Sequence, residues 1–214
     1  MNNKKVYVNT EQTLFQNQAA GWFYTNEMGE DVDMIFVGKT IYAMPINLKS
    51  EKSYRILADE YEIRFIFNDY SPKFNFYPVP NLEIFAYDKF GGCFAKKYNS
   101  VELSEECQPI YYVDKNLKIR MVGLNFLKFL SVAVFLPNWR KKLAIIEAML
   151  PTPSENGRKY LIDSLELNDS NLELSVTNEI IDDITLYTSF EEAKRDFVIL
   201  TEQELPFLGK MSLI

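Results

Sequence analysis

Residues 76–95 read FYPVPNLEIFAYDKFGGCFA, and this stretch decides the fold. Pro78 and Pro80 lack the N–H group that a central strand needs, so we predict that the strand starts after Pro80. Two apolar runs and the turn between them follow, namely LEIFAY (82–87), DKFGG (88–92) and CFAKK (93–97). Because Gly91 or Gly92 can adopt a positive φ, the stretch predicts an antiparallel hairpin.

Downstream of this hairpin, two further β-rich runs surround a short polar turn. PIYYVD (109–114) and KIRMVG (118–123) are separated by turn-forming residues around Asn116. Short connections of this kind join antiparallel neighbours, so the four runs predict a local meander of strands.

A helical period follows the meander. Asn125 is a candidate N-cap for a helix over 126–136, in which we expect four residues to face inward. These are Leu127, Phe129, Leu130 and Val134. Pro137 ends this helix, and Asn138 is the predicted N-cap of a second helix over 139–150.

Upstream of the hairpin, the residues predict one more turn and one more helix. MIFVG (34–38) and TIYAM (40–44) surround Gly38-Lys39, a pattern typical of a tight hairpin. From Ser50, a candidate N-cap, apolar residues recur at helical spacing as far as about Glu62. Strands followed by helices indicate an α+β fold.

The C-terminal third differs from the rest in composition and charge. PTPSENG (151–157) is typical of a boundary, and SFEE (189–192) matches a helix capping box. Residues 1–150 carry 18 basic and 17 acidic side chains, a net charge of +1. Residues 151–214 carry 5 and 13, a net charge of −8. We therefore predict an α+β domain over 1–150 and an acidic extension over 151–214 that packs on it.

The inventory of reactive side chains is small. The chain has no histidine, which excludes Ser-His-Asp and Cys-His nucleophile systems and histidine-ligated metals. Glu83 and Asp88 are five residues apart, on opposite faces of a strand, so they do not form a catalytic pair. Cys93 and Cys107 are predicted to be reduced and buried. We expect no enzymatic activity, cofactor or metal; a hydrolase that uses carboxylates or Cys93 is the competing hypothesis.

The excess of carboxylates in residues 151–214 indicates what the protein binds. Negative charge repels phosphate backbones and attracts a basic protein, so we expect a protein partner and no direct contact with nucleic acid. The candidate binding residues are Glu179, Asp182, Asp183, Glu191, Glu192 and Asp196. No apolar run is long enough to span a membrane and the first residues lack the apolar segment of a signal peptide, so we expect a cytoplasmic protein.

The block PNLEIFAYDKFGGCFAKK, followed by PIYYVDKNLKIRMVGLNFLKFLSVAVFLPNWRKK, resembles the SUKH superfamily. This superfamily includes Smi/Knr-type cell-wall regulators of yeast and many bacterial immunity proteins. The resemblance covers about residues 76–142. The matching positions are Phe85, Asp88, Gly91, Gly92, Phe94, Pro109, Val113, Asp114, Phe126 and Phe129. The helix entry usual near the N-terminus of this family is not clear here, and residues 151–214 are longer than in single-domain members.

The resemblance implies both a fold and a role. The implied fold is a curved antiparallel sheet with helices packed against one side, to which the C-terminal third adds an α/β extension. The implied role is that of an immunity protein, which neutralises a polymorphic toxin, often a nuclease, by covering its active surface. A regulatory or scaffold protein of the same fold that binds a cellular client is the alternative.

Overall fold

The computed structural model of the chain describes residues 4–11, 24–25, 31–97, 108–136, 138–143, 152–170, 172 and 183–201. The strands are β1 (Lys4–Asn9), β2 (Tyr24–Thr25), β3 (Asp31–Val37), β4 (Lys39–Ile41), β5 (Arg64–Phe65), β6 (Tyr77–Val79), β7 (Leu82–Tyr87), β8 (Cys93–Lys97), β9 (Ile110–Val113), β10 (Ile119–Gly123), β11 (Thr185–Tyr187) and β12 (Ile199–Leu200). The helices are α1 (Lys52–Glu60), α2 (Phe126–Phe135), α3 (Trp139–Lys142), α4 (Glu155–Ser164) and α5 (Phe190–Ala193), with a 3-10 turn at Ile46–Ser50. The predicted α+β class is confirmed.

The central sheet is built on the predicted meander. Strands β7, β8, β9 and β10 pair in sequence order, each antiparallel to the next. Gly91 takes a φ of +86° in the β7–β8 turn, as the sequence predicts. The sheet is nevertheless mixed, because β4 joins β7 in parallel while β5 joins it antiparallel. The expectation of a purely antiparallel sheet is therefore wrong at this edge.

The predicted hairpin around Gly38-Lys39 is also wrong. Strands β3 and β4 do not pair with each other: β3 lies parallel to β1 in a second sheet of order β12-β1-β3-β2. Gly38 has a φ of +90° and passes the chain from that sheet to the central one. The Asn81 amide donates to the Gly38 carbonyl and to Thr10 Oγ1, both at 2.7 Å, and so ties the two sheets together. A single residue between two strands is too short to reverse the chain, so the run continues into a different sheet.

The two faces of the central sheet are buried in different apolar clusters. Alternate residues of each strand point to opposite faces, so Phe85 and Phe94 lie on one face while Ile84 and Cys93 lie on the other. Side chains of α1, α2, α3 and α4 complete the cluster on the first face. The second face is covered by side chains from irregular segments and β11, including Phe76.

Helix α2 begins where the sequence predicts, but one inward position is wrong. Asn125 Oδ1 accepts from the Lys128 N–H at 2.8 Å and caps the helix. Phe129, Leu130 and Val134 are buried, as predicted. Leu127 is 57% exposed, because it lies on the face of the helix that turns away from the sheet. Most of the second predicted helix, residues 144–150, lies outside the described residues.

Helix α1 and the segment after residue 151 contact each other directly. The N-cap position of α1 is Glu51, which makes no side-chain cap hydrogen bond, whereas the predicted N-cap Ser50 closes the preceding 3-10 turn. The Glu60 carboxylate accepts from Ser154 N at 2.7 Å and from Ser154 Oγ at 3.1 Å, at the start of α4.

Further along the chain, β11 pairs with β6 and β12 pairs with β1. The division of the chain into a domain and an extension stays a prediction.

Candidate functional site

The predicted acidic site falls partly on the β11–α5 segment, residues 183–201. Glu179 and Asp182 lie outside the described residues. Asp183, at the start of the segment, has a side chain that is 59% exposed, and its Oδ2 lies 2.6 Å from the Lys97 ammonium on β8. Residues 183–201 contain four acidic and two basic side chains, so their net charge is −2. The β11–α5 segment is therefore only mildly negative.

Two of the predicted carboxylates hold the β11–α5 segment together. Glu192 Oε2 accepts from Thr188 N at 2.7 Å and from Thr188 Oγ1 at 2.5 Å, and these bonds hold the pKa of Glu192 below its ordinary value. Asp196 Oδ2 accepts from Tyr187 Oη at 2.8 Å. The predicted capping box is half confirmed: Ser189 Oγ accepts from Glu192 N, but the Glu192 carboxylate reaches Thr188 instead of Ser189.

Glu191 differs from its neighbours. It is exposed in the first turn of α5. Among the described residues no hydrogen bond or ion pair holds its carboxylate. Of the four predicted binding residues that the structure describes, Glu191 is therefore the one whose charge is fully available to a partner.

Asp88 is a structural residue at the centre of a buried polar cluster. Its Oδ1 accepts from Phe90 N at 2.9 Å and from Gly92 N at 3.0 Å, so Asp88 shapes the β7–β8 turn. Its Oδ2 accepts from Tyr112 Oη at 2.8 Å. A side chain on Gly92 would collide with the Tyr112 hydroxyl group, which explains the second glycine of the pair.

Arg140, which sequence reasoning missed, completes this cluster. Its Nη1 and Nη2 donate to the carbonyl groups of Tyr61 and Glu62, both at 3.1 Å, and its Nε lies 3.7 Å from Asp88 Oδ2. The guanidinium is 4.3 Å from the centre of the Trp139 ring. Burial lowers the pKa of Arg140, and the Asp88 carboxylate opposes this change by stabilising the charge. Arg140 thereby joins α3, the end of α1 and the β7–β8 turn.

Two of the residues considered for a hydrolase, Cys93 and Asp88, are buried inside the fold. Cys93 and Asp88 are 1% and 3% exposed, and Glu83 pairs with Lys96 rather than with Asp88. Burial, with a further contribution from Asp88, raises the pKa of the Cys93 thiol far above its ordinary value. A thiol that is protonated and covered by packed strands is not a nucleophile.

This burial gives a direct prediction for Cys93. In a Cys107→Ser variant, 5,5′-dithiobis(2-nitrobenzoate) at pH 8 should label the native protein at least about a hundredfold more slowly than the urea-unfolded chain. Labelling is followed by absorbance, with the unfolded chain as the control. Native labelling at the unfolded rate would contradict the buried, protonated thiol.

An aromatic pocket opens on the first face of the central sheet, with a volume of about 220 Å³. Its lining residues, which define the aromatic pocket below, are Tyr42, Met44, Tyr54, Phe65, Phe85, Lys96, Gln108, Ile110 and Phe126. The ring centres of Phe85 and Phe126 are 5.6 Å apart, and the Phe65 ring lies within 6.1 Å of both. Among the described residues that line it, Lys96 is the one charged residue.

Exposed apolar side chains are concentrated beside this pocket. Seven large apolar side chains of the described residues are exposed, and five of them belong to the two short segments 42–46 and 124–127 that supply pocket residues. These five are Tyr42, Ile46, Leu124, Phe126 and Leu127. Grouped apolar exposure of this kind marks binding surfaces. The sequence gives no signal for this pocket, because its walls come from seven separated parts of the chain.

Comparison with known proteins found no match: no family model, curated protein or solved structure matches the chain. The SUKH resemblance therefore stays a prediction. Within the described ranges, no helix has the length and apolar character that a membrane crossing requires. The same residues contain no group of three or more histidine, cysteine or acidic side chains placed to hold a metal ion.

Proposed function

We propose that this protein is a non-enzymatic binding protein that neutralises a cognate, basic toxin by covering its active surface. This is the immunity-protein role that the SUKH resemblance implies. One observation supports it most. Cys93 and Asp88, two of the side chains considered for a hydrolase, are buried in the fold, while Asp183, Glu191 and Asp196 are exposed on one short segment.

The internal bonds of the β11–α5 segment suit it to this role. The pairs Thr188–Glu192 and Tyr187–Asp196 fix the segment before any partner arrives. A pre-ordered surface loses less conformational entropy when it binds. Its carboxylates attract a basic protein and raise the rate of association.

The proposed function is tested with the product of the neighbouring gene. We expect co-expression to protect cells from a toxin encoded next to this gene, and the two purified proteins to elute together from a size-exclusion column. A neighbourhood without a toxin-like reading frame, together with no complex in pull-downs, would overturn the proposal. Recovery of a cellular client instead would favour the regulatory or scaffold alternative.

Charge reversal at Glu191 tests the surface itself. Glu191→Lys should slow association with the toxin by about three- to tenfold at low salt, because it removes one attractive charge and adds a repulsive one. Association is measured by stopped flow from low to high ionic strength, where the difference should shrink.

The matched control is Asp59→Lys, which makes the same change of charge at an exposed position of α1. We expect it to leave the association rate within about twofold of the wild type. Equal rates for Glu191→Lys and the wild type would place the toxin contact elsewhere.

A further inference from the structure

We propose that the aromatic pocket binds a small carboxylic acid with an aromatic or branched apolar body, and that Lys96 pairs with its carboxylate. The pocket contains no residue of the β11–α5 segment. The inference is therefore independent of the proposed toxin partner, and either one can fail alone.

The size and walls of the pocket select the apolar body. An engineered apolar cavity of about 150 Å³ binds benzene, so the volume of about 220 Å³ here accommodates a phenyl group with a short tail. Phe65, Phe85 and Phe126 present ring faces and edges at the spacings that aromatic groups prefer. Phe126 is 38% exposed, so a ligand that covers it removes apolar surface from water.

Lys96 selects the charged head. Its side chain is 24% exposed, and its ammonium lies 5.5 Å from the centre of the Tyr42 ring, which is itself 51% exposed. Lys96 Nζ is 3.1 Å from Glu83 Oε1, yet that oxygen accepts no hydrogen bond in the described part of the chain. The ammonium has three N–H donors, so a ligand carboxylate can accept from it while Glu83 holds it in place.

Alternatives to a carboxylate fit these groups less well. A cationic ligand would be repelled by Lys96, and the Glu83 carboxylate that could compensate the ligand's charge is already paired with this lysine. A purely apolar ligand would place an apolar group against the Lys96 ammonium. It could not accept a charge-assisted hydrogen bond from this group. An acid of the size of 3-phenylpropionate satisfies both ends.

The test uses the full chain and NMR titrations with matched probes. We expect 3-phenylpropionate to shift the signals of pocket residues with a dissociation constant of about 0.1–1 mM, and 3-phenylpropanamide to bind at least about fivefold more weakly. Acetyl-Gly-Phe carries the same ring and carboxylate at the end of a peptide. Tighter binding of this peptide would assign the ligand to a chain terminus, and tighter binding of 3-phenylpropionate would assign it to a free acid; either result supports the proposed chemistry.

Two neighbouring lysines of β8 provide the variants. Lys96→Gln should weaken binding of the acid about tenfold and leave the amide within about twofold. Lys97→Gln changes the next residue, which pairs with Asp183 instead, and should alter neither probe. Lys96→Arg keeps the charge and should keep the preference for the acid.

Three results would overturn the proposal. They are no signal shifts of pocket residues at about 5 mM acid, equal affinity of wild type for acid and amide, and equal effects of Lys96→Gln and Lys97→Gln.

Discussion

Arg140→Ala should lower the free energy of unfolding by about 3–5 kcal/mol. The variant leaves the Asp88 carboxylate buried without its cation, at 3% exposure. It also removes the donors to the carbonyl groups of Tyr61 and Glu62. Loss of one member of a buried charge pair is costly because the remaining charge cannot recover its hydration. Urea denaturation followed by tryptophan fluorescence measures the change.

Lys49→Ala is the matched control for Arg140→Ala. Lys49 also pairs with an aspartate, Asp69, at 2.6 Å, but the two side chains are 53% and 42% exposed. Exposed pairs are solvated and contribute little, so the control should cost less than about 1 kcal/mol. If the two variants lose similar stability, Arg140 does not have the structural role proposed here.

The burial of Arg140 was not predictable from the sequence. The run Arg140-Lys141-Lys142 is uniformly basic, and nothing local distinguishes Arg140 from the exposed Lys141 and Lys142. Its burial follows from the packing of α3 against residues about 80 positions earlier in the chain. Asp88, by contrast, acts on Phe90 and Gly92, and its part in the turn was predictable because those partners are local.

The same distinction separates correct from incorrect strand pairings. In the meander β7–β10, short turns join β7 to β8 and β9 to β10, so alternation and turn residues were sufficient to predict these two pairings. Strands β1 and β3 pair in parallel, as do β4 and β7, and neither pair is joined by a short turn. Parallel pairing depends on distant partners that a local pattern does not identify.

The candidate site was predictable only as a charge, not as an arrangement. Counting charged residues located the acidic third. It did not show that Glu192 and Asp196 accept hydrogen bonds within the β11–α5 segment, while the charge of Glu191 remains available to a partner. The aromatic pocket was not predictable at all. Tyr42 and Phe126 are 84 positions apart, and only the packing of α2 on the sheet brings their segments to one cavity.

Gly123→Ala should destabilise the protein by about 3 kcal/mol, near the upper end for overpacking. Gly123 ends β10, and a methyl group there would lie 2.6 Å from Phe129 N and 2.7 Å from Phe129 Cα. These are backbone atoms of α2, so the clash is relieved only if the helix moves away from the sheet. Helix α2 also begins with Phe126, a wall of the aromatic pocket, so the variant should weaken binding of 3-phenylpropionate as well as stability. Thermal and urea unfolding measure the first effect, and the NMR titration measures the second.

Gly91→Ala is the control that distinguishes the clash between β10 and α2 from the general cost of replacing a glycine. Gly91 has a φ of +86°, but a methyl group there would meet nothing closer than Lys115 Cβ at 3.6 Å. Its substitution should therefore cost only the strain of the left-handed conformation, about 1 kcal/mol, and leave the pocket unchanged. A larger loss for Gly91→Ala than for Gly123→Ala would mean that backbone conformation, not the contact between β10 and α2, limits stability. Because Phe126 lines the pocket from the first turn of α2, the β10–α2 contact is where the stability of this fold and its proposed ligand binding depend on the same atoms.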